Sequence, residues 1–226
     1  YYPAPNIPTA VFSNHDQLRS IHRIGNNLEK AKLLALLQFT MRAVPCVYYG
    51  EEIGMTDGKI PIKEGKDPMV KVYSWVPQFI ADRLPVGINR DNCRTPMQWN
   101  MERSAGFSTA AKTWLPLNSE IERRNVAEQL SDENSLLHVF KQLIKLRKEY
   151  TALNSGKIEI INTGNKNILA YVRSFEDEQL LVLINFSKSK ITNNISQPIK
   201  KVVFSIKSKK TFEGILNGFD GVILKI

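Results

Sequence analysis

Runs of apolar positions predict alternating strands and helices in the first part of the chain. The segment "TAVFSNH" is a short apolar run that ends in polar residues, as a buried strand does. The segment Asn27 to Ala43, "NLEKAKLLALLQFTMRA", predicts a helix with apolar residues on so many faces that neighbouring elements should cover it. After Pro45, the segment "CVYYG", Cys46 to Gly50, predicts a second buried strand. This order favours parallel strands joined by a crossover helix.

Periodicity is weak from Thr56 to Ala105, where Pro, Gly and charged residues dominate. A loop of this length inside a compact protein usually has a function. The segment "SDENSLLHVFKQLIKLRKEY" is amphipathic and predicts a helix that Ser131 or Asp132 can cap. Its predicted apolar stripe consists of Leu136, Phe140, Leu143 and Ile144.

The sequence pattern changes after Tyr150. The segments "KIEIIN", "ILAYVRSF", "QLLVLINF", "KVVFSI" and "VILKI" are short, rich in β-branched residues and separated by turn signals. They predict an antiparallel all-β module. We therefore place a domain boundary near Thr151, with one domain over residues 1–150 and a second over residues 151–226.

The composition is that of a globular, soluble protein, with 42% hydrophobic and 23% charged residues in a chain of 226. The sequence contains no run of 18 uncharged apolar residues, so we predict no transmembrane helix and no membrane partner. The chain starts at Tyr1 without an initiator Met, in a segment that is neither a signal peptide nor a compact element. We expect it to be a piece of a longer protein.

The two cysteines do not indicate a disulfide framework. Cys46 lies in the apolar run "AVPCVYYG" and is interpreted as a small core residue, whereas Cys93 lies in a polar loop. The expected absence of a bridge between them favours a reducing compartment, and we predict a cytoplasmic location.

The net charge of +9 is distributed unevenly along the chain. Residues 141–226 hold 15 Lys and Arg against 7 Asp and Glu, with most of the excess between Lys188 and Lys210. No nucleic-acid motif or set of stacking aromatic residues accompanies these lysines. They predict a solvated lysine-rich face and no nucleic-acid partner.

The stretch "VFSNHDQLRS" places Asn14, His15 and Asp16 directly after the first predicted strand. If this strand belongs to a parallel barrel, its carboxyl end faces the barrel mouth, where active sites lie. A carboxylate there can stabilise developing positive charge or hold substrate hydroxyls, and a neighbouring imidazole can hydrogen-bond the same ligand. An Asx turn that closes the strand explains the same residues equally well.

Two further stretches are dense in residues suited to a sugar. In "CVYYGEEIGM" the acids Glu51 and Glu52 are adjacent, so in an extended segment at most one of them faces a ligand. In "GINRDNCRTPMQWN", Gly87 to Asn100, arginines and carboxylates can hold hydroxyl groups and Trp99 offers a stacking face. No cluster has the spacing of metal ligands, and we predict neither a metal site nor a cofactor.

Together these three stretches resemble glycoside hydrolase family 13, the α-amylase superfamily, and within it the α-glucosidase and oligo-1,6-glucosidase branch. "SNHDQLRS" resembles the fourth conserved region of that family, and "VPCVYYGEEIGM" resembles its last barrel strand and following loop. "RDNCRTPMQW" resembles a signature of the branch, and the β-rich tail resembles domain C, an antiparallel β-sandwich. The resemblance implies the C-terminal part of a (β/α)8 TIM barrel, with its last two strands and helices, followed by that sandwich.

The resemblance also implies roles for individual residues. Asp16 matches the family carboxylate that binds sugar hydroxyls and stabilises the oxocarbenium-like transition state. His15 matches the histidine that hydrogen-bonds the same sugar, and Arg90 matches an arginine that helps recognise the non-reducing terminal glucose. Asp91 and Arg94 are expected to hold their loop. For Glu51 two roles stay open, contact with the substrate and bracing of the strand.

The nucleophilic Asp and the acid/base Glu of the family lie upstream of the matching regions, outside this chain, so Glu51 and Glu52 are not assigned to those roles. The resemblance implies that the parent is a retaining α-glucosidase acting on malto- or isomalto-oligosaccharides, and that the chain alone is inactive. The alternatives are a trehalose synthase or sucrose isomerase of the same family, or a non-catalytic relative such as the heavy chain of an amino-acid transporter. The intact His15, Asp16 and Arg90 favour a catalytic protein.

Overall fold

The structure, a computed structural model, describes residues 6–81, 83, 87–192, 197–207 and 210–226. Residues 1–5, four positions of the long loop (82 and 84–86) and Lys209 of the lysine-rich segment lie outside the described residues. The α-helices are α1 (Ser20–Arg23), α2 (Leu28–Thr40), α3 (Pro68–Val72), α4 (Gln78–Ala81), α5 (Val126–Ser131), α6 (Leu136–Glu149) and α7 (Thr151–Asn154). Short 3-10 helices cover Glu51–Ile53, Ile62–Glu64, Arg90–Arg94 and Arg103–Gly106.

The strands fall into separate sheets. They are β1 (Thr9–Val11), β2 (Val44–Cys46), β3 (Lys157–Ile161), β4 (Ile168–Phe175), β5 (Glu178–Asn185), β6 (Ile191–Thr192), β7 (Lys201–Ser205), β8 (Ile215–Leu216) and β9 (Asp220–Lys225). By its contacts the chain forms two compact units, one of residues 1–10, 29–45 and 139–226 and the other of residues 11–28 and 46–138. The boundary proposed near Thr151 stays a prediction.

The antiparallel all-β module predicted after Tyr150 is present. Five strands form an antiparallel sheet in the order β3-β4-β5-β9-β7, and β6 pairs with β8 in a second, two-stranded sheet. Residues 180–185 of β5 are all buried, which explains the unbroken apolar run "LLVLI" in place of a strand with one solvated face. Leu181 and Leu183 share a core with Leu216 of β8, so the small sheet covers one face of the large one.

Two arginines donate hydrogen bonds to backbone carbonyl groups at the C-terminal end of α2. Arg147 of α6 donates from Nη1 to the Phe39 carbonyl at 2.8 Å and from Nη2 to the Ala43 carbonyl at 2.6 Å. Arg173 of β4 donates from Nη1 to the Thr40 carbonyl at 2.5 Å, and burial lowers the pKa of Arg173 to about 10. Cations at a helix C-terminus satisfy orphan carbonyls and complement the helix dipole. The predicted covering of α2 is confirmed, since none of its residues is exposed.

The two predicted buried strands are shorter and more open than the sequence suggested. In β1 only Ala10 is buried, and the second strand is Val44–Cys46, ahead of the predicted segment Cys46 to Gly50. Cys46 is exposed, so its interpretation as a core residue was wrong, and Cys93 is the buried cysteine. The reason is that β2 has β1 as its strand partner in the described part of the chain, which leaves its outer positions uncovered. Neither Cys46 nor Cys93, both among the described residues, forms a disulfide.

The amphipathic helix is present as α6, but its cap and one residue of its stripe differ from the prediction. Ser135, directly before the helix, accepts the N–H of His138 at 3.2 Å, so neither Ser131 nor Asp132 is the cap. Ser131 ends the separate helix α5. Val139 is buried beside Leu136, Phe140 and Leu143, whereas Ile144 is 41% exposed. Position 139 follows 136 by three residues and continues the same helical face, and position 144 lies at its edge.

Candidate active site

The polar cluster after β1 forms a turn in which the Asp16 carboxylate takes no part. Asn14 Oδ1 accepts the N–H of Asp16 at 2.9 Å and closes an Asx turn. Because Asn14 provides this bond, the Asp16 side chain takes no part in the turn, and 45% of it is exposed. His15 Nε2 lies 3.3 Å from Asp16 Oδ2, and the imidazole is also exposed. The turn and a solvent-facing carboxylate therefore coexist, and one explanation of "SNHDQ" does not displace the other.

Two arginines from the 3-10 helix Arg90–Arg94 converge on Asp16. Arg90 Nη1 donates to Asp16 Oδ1 at 2.8 Å, and Arg94 Nη2 donates to the same oxygen at 3.2 Å. Arg94 Nε also donates to the His15 carbonyl at 2.8 Å. The structure thus brings together the three residues selected from the sequence and adds Arg94, which was expected only to hold its loop.

A buried carboxylate that sequence reasoning missed holds both arginines. Asp67 has a fully buried side chain and receives Arg90 Nε at 2.6 Å, Arg90 Nη2 at 2.9 Å and Arg94 Nη1 at 3.0 Å. The hydrogen bond from Arg90 is the main reason why the pKa of Asp67 lies below its usual range. The same pair raises the pKa of Arg90. Arg90 therefore stays charged and fixed between two carboxylates.

The local sequence around Asp67 gives no sign of its contacts with the two arginines. Asp67 accepts the N–H of Met69 at 2.9 Å and caps α3, with Pro68 in the first turn. Asp followed by Pro is a signature of a helix start, and this pattern carries no sign of a partner more than 20 residues away. Asp91 is buried and accepts the N–H of Asp67 at 3.0 Å, which agrees with the loop-holding role expected of it.

The four charged side chains form a neutral cluster with one open carboxylate. Asp67 and Asp16 supply two negative charges, and Arg90 and Arg94 supply two positive charges. The Asp67 side chain is buried, whereas Asp16 faces solvent together with His15. A carboxylate fixed in this way can stabilise positive charge on a ligand without reorganising, and the adjacent imidazole and guanidinium groups can bind hydroxyl groups.

Glu51 is engaged in bonds to its own surroundings. Its Oε1 accepts from the hydroxyls of Ser13 at 3.0 Å and Ser20 at 2.8 Å, and its Oε2 accepts the N–H of Tyr48 at 3.3 Å. Gly50 directs the chain into this position, because it has φ of 79° and a Cβ there would lie 2.5 Å from the sulfur of Met55. Glu51 thus ties the segment after β1 to the segment after β2.

Arg19 is a second residue that the sequence did not single out. It is 1% exposed and donates to the carbonyls of Tyr49 at 2.7 Å and Cys93 at 2.8 Å. Its guanidinium carbon lies 5.0 Å from the ring centroid of Tyr48 and 4.9 Å from that of Tyr49. Its backbone N–H is bound by Asp57, a carboxylate whose pKa burial raises. Arg19 thereby links the loop that carries Asp16 to the loop that carries Arg90 and Arg94.

The same compact unit contains a cavity of about 530 Å³ whose described lining includes His22, Asp57 and Asn89 but none of the charged cluster. Three of its amide side chains already bond the backbone: Asn89 Nδ2 donates to the Ile60 carbonyl at 3.0 Å, and Asn92 and Gln78 accept backbone N–H groups.

Among the described residues, no group of three or more His, Cys, Asp or Glu is arranged to hold a metal ion. No helix in the described part of the chain is long and apolar enough to cross a membrane.

Comparison with known families gives two adjoining matches. Residues 3–156 match the model of the α-amylase catalytic domain, and residues 158–216 match that of the maltogenic amylase C-terminal domain. The similar curated proteins include an oligo-1,6-glucosidase of Parageobacillus thermoglucosidasius, 38% identical over 78% of this chain and 33% of its own. They also include a glucan 1,6-alpha-glucosidase of Streptococcus dysgalactiae subsp. equisimilis, 34% identical over 78% of this chain and 35% of its own. The chain therefore spans about a third of the length of the curated relatives that it matches.

A solved structure resembles the fold over nearly the whole chain. The isomaltulose synthase of Klebsiella sp. LX3 superposes with a TM-score of 0.84 and 27% identity, covering 97% of this chain and 43% of that protein. Both compact units are therefore shared with a protein of known structure.

Proposed function

The chain belongs to the α-amylase family of glycoside hydrolases, and from this premise we propose that it is part of a retaining α-glucosidase acting on malto- or isomalto-oligosaccharides. Such an enzyme uses two carboxyl groups about 5 Å apart, one as nucleophile and one as acid and base. In our proposal both of these lie outside this chain. The chain contributes a third carboxylate and the residues that bind the terminal glucose.

The single observation that carries the proposal is the environment of Asp16. This carboxylate is fixed by Arg90 and Arg94, yet it remains open to solvent beside His15. Glycosyl transfer passes through a transition state with positive charge on the sugar. A preorganised anion at that point lowers the barrier because it does not have to reorganise during the reaction. We assign this role to Asp16.

The neighbouring residues are assigned to sugar binding. His15 lies next to Asp16 and presents an exposed imidazole that can bond a hydroxyl of the same glucose unit. Arg90 spreads its guanidinium between Asp67 and Asp16, and its partly exposed edge can bond the non-reducing end. Glu51 is assigned to bracing, because its carboxylate already accepts three hydrogen bonds.

Hydrolysis is preferred to sugar isomerisation as the reaction. The curated relatives at 38% and 34% identity are named as 1,6-glucosidases, whereas the isomaltulose synthase is 27% identical. The isomerase remains the second candidate, because that synthase shares the fold over nearly the whole chain. A non-catalytic relative is disfavoured by the complete charged cluster around Asp16.

Product analysis of the complete enzyme separates these candidates. Purified enzyme is incubated with maltose, isomaltose and sucrose, and the sugars are resolved by anion-exchange chromatography. We expect release of free glucose from maltose or isomaltose. Conversion of sucrose to an isomeric disaccharide as the main product, with little hydrolysis of the other two, would replace the glucosidase with the isomerase.

We also propose that residues 1–226 alone do not hydrolyse glucosides. Without the nucleophile and the acid, the covalent step itself is lost. Purified chain is assayed with p-nitrophenyl α-glucoside, with the complete enzyme as the positive control. Glucosidase activity that copurifies with the chain alone would show that it carries its own nucleophile and acid.

The proposed location is the cytoplasm, and the proposed partner is the oligosaccharide substrate alone. Cys46 and Cys93, both among the described residues, form no disulfide, and Cys46 is exposed to solvent, where an oxidising compartment would leave its thiol vulnerable. Fractionation of cells with an antibody against the chain tests this location. Recovery of the protein in the culture medium would contradict it.

A further inference from the structure

The charged cluster contains a carboxylate with no direct access to a substrate. Asp67 has a side chain with no exposed surface, and three of its four side-chain bonds are donated by Arg90 and Arg94. The fourth comes from the N–H of Met69, and its own N–H is held by Asp91 at 3.0 Å. Asp67 is thus fixed both by its backbone and by its side chain.

The two arginines would act differently on Asp16 without Asp67. Each now divides its guanidinium between the buried carboxylate and the open one. If the charge of Asp67 were removed, Asp16 would face two guanidinium groups alone, and the cluster would change from neutral to positive. A net positive cluster opposes a ligand on which positive charge develops.

We propose that Asp67 is a positioning residue of the sugar site, which holds Arg90 and Arg94 on Asp16 and balances their charge so that Asp16 acts as an anion toward the substrate. This inference rests on the proposed function. It assigns a task to a residue that local sequence marks only as the cap of a helix of five residues.

The test uses Asp67→Asn in the complete enzyme. Asn caps helices as well as Asp does, so the bond to Met69 can remain while the charge is lost. We expect kcat for p-nitrophenyl α-glucoside to fall roughly tenfold to a hundredfold, with a smaller change in KM. The matched control is Asp177→Asn, at an exposed turn position, for which kcat should stay within about twofold of wild type.

A second substitution separates charge balance from a structural role. Arg94→Gln in the Asp67→Asn background makes the cluster neutral again. We expect this double variant to regain at least about fivefold in kcat relative to Asp67→Asn. A purely structural role predicts a further loss, because a second native contact has been removed.

Binding of protonated 1-deoxynojirimycin, measured by calorimetry, provides a readout that does not require turnover. Its affinity should fall about tenfold in Asp67→Asn and recover in the double variant. Arg94→Gln and Arg94→Lys both keep Asp67 and both lose the fork contacts of Arg94 with Asp16 and Asp67, but only Arg94→Gln makes the cluster negative. Arg94→Gln should therefore bind this cation more tightly than Arg94→Lys does. This pair of variants keeps the inference testable if Asp67→Asn does not fold.

The outcomes distinguish the two proposals. If the wild-type enzyme is active and Asp67→Asn has the same kcat and inhibitor affinity, the positioning role is overturned and the proposed glucosidase function is retained. The positioning role is also overturned if the double variant recovers neither kcat nor inhibitor affinity, or if Arg94→Gln binds the inhibitor less tightly than Arg94→Lys. A wild-type enzyme that neither hydrolyses α-glucosides nor binds the inhibitor overturns the proposed function, and the positioning role with it.

Discussion

Arg90 divides one guanidinium between a buried and an open carboxylate, and this geometry depends on the planar fork of arginine. Nε and Nη2 bond Asp67, while Nη1 bonds Asp16. A lysine at this position has a single ammonium group and cannot reproduce both contacts. We therefore expect Arg90→Lys in the complete enzyme to lower kcat/KM at least tenfold.

The control for this prediction is Arg103→Lys, an exposed arginine in the same compact unit, which should keep kcat/KM within about twofold. Steady-state kinetics with p-nitrophenyl α-glucoside measures both variants. Equal kcat/KM for Arg90→Lys and wild type would mean that charge alone suffices at position 90.

The site residues that could be predicted from the sequence are those carried by a local motif. His15, Asp16 and Arg90 were selected from "SNHDQ" and "NRDNCRTP", and the structure brings them together. The contribution of Asp67 and the contact of Arg94 with Asp16 could not be read in this way. These contacts join residues 23 and 78 positions apart, and a local sequence pattern does not show which distant residues will meet.

At the scale of elements, the start of α6 provides a sharp test of the structure against the sequence. The Ser135 hydroxyl accepts the N–H of His138 and donates to the Gln129 carbonyl at 2.7 Å, and it is buried. Ser135→Ala removes the cap and leaves the His138 N–H without this acceptor, while the Gln129 carbonyl keeps its contact with His138 Nδ1 at 3.2 Å. We expect the free energy of unfolding of the chain to fall by about 1 kcal/mol or somewhat more.

The matched control is Ser131→Ala, at one of the two positions, Ser131 and Asp132, that the sequence offered as the cap. Its exposed hydroxyl donates to the Glu128 carbonyl at the end of α5, so the free energy of unfolding should change by less than about 0.5 kcal/mol. Urea unfolding followed by circular dichroism measures both variants. A larger loss for Ser131→Ala than for Ser135→Ala would restore the cap inferred from the sequence.

Elements were predicted well where their own pattern determines them. The strands of the β-rich tail and the covered helix α2 are of this kind, because apolar runs and turn signals act locally. The predicted burial of the second strand was wrong, because an apolar run such as "AVPCVYYG" does not indicate how many neighbouring elements will cover it. The prediction that Cys46 is a core residue was wrong for the same reason, because Cys46 lies on this uncovered strand. Cys93 is the buried cysteine, and its carbonyl accepts a hydrogen bond from Arg19.

At the scale of the whole molecule, the chain has the family and the fold that the sequence indicated. Matches to a catalytic domain and a C-terminal domain follow one another along it, and it spans about a third of its curated relatives. The boundary between residues 150 and 151 remains a prediction. We propose that the chain contributes an electrostatic carboxylate and a sugar-binding cluster to an active site whose nucleophile and acid lie outside this chain.

The measurement that tests this account most directly is kcat of the complete enzyme with Asp16→Asn. The substitution keeps the size of the side chain and removes its charge, and the Asx turn should persist because Asn14 supplies its acceptor. One preorganised electrostatic contact is worth about 3–4 kcal/mol in such sites, so kcat should fall by roughly two to three orders of magnitude. The melting temperature should be unchanged, since the side chain lies at the surface. A kcat within about threefold of wild type, with unchanged melting, would make "SNHDQ" a turn and nothing more, and would remove the active site from this position.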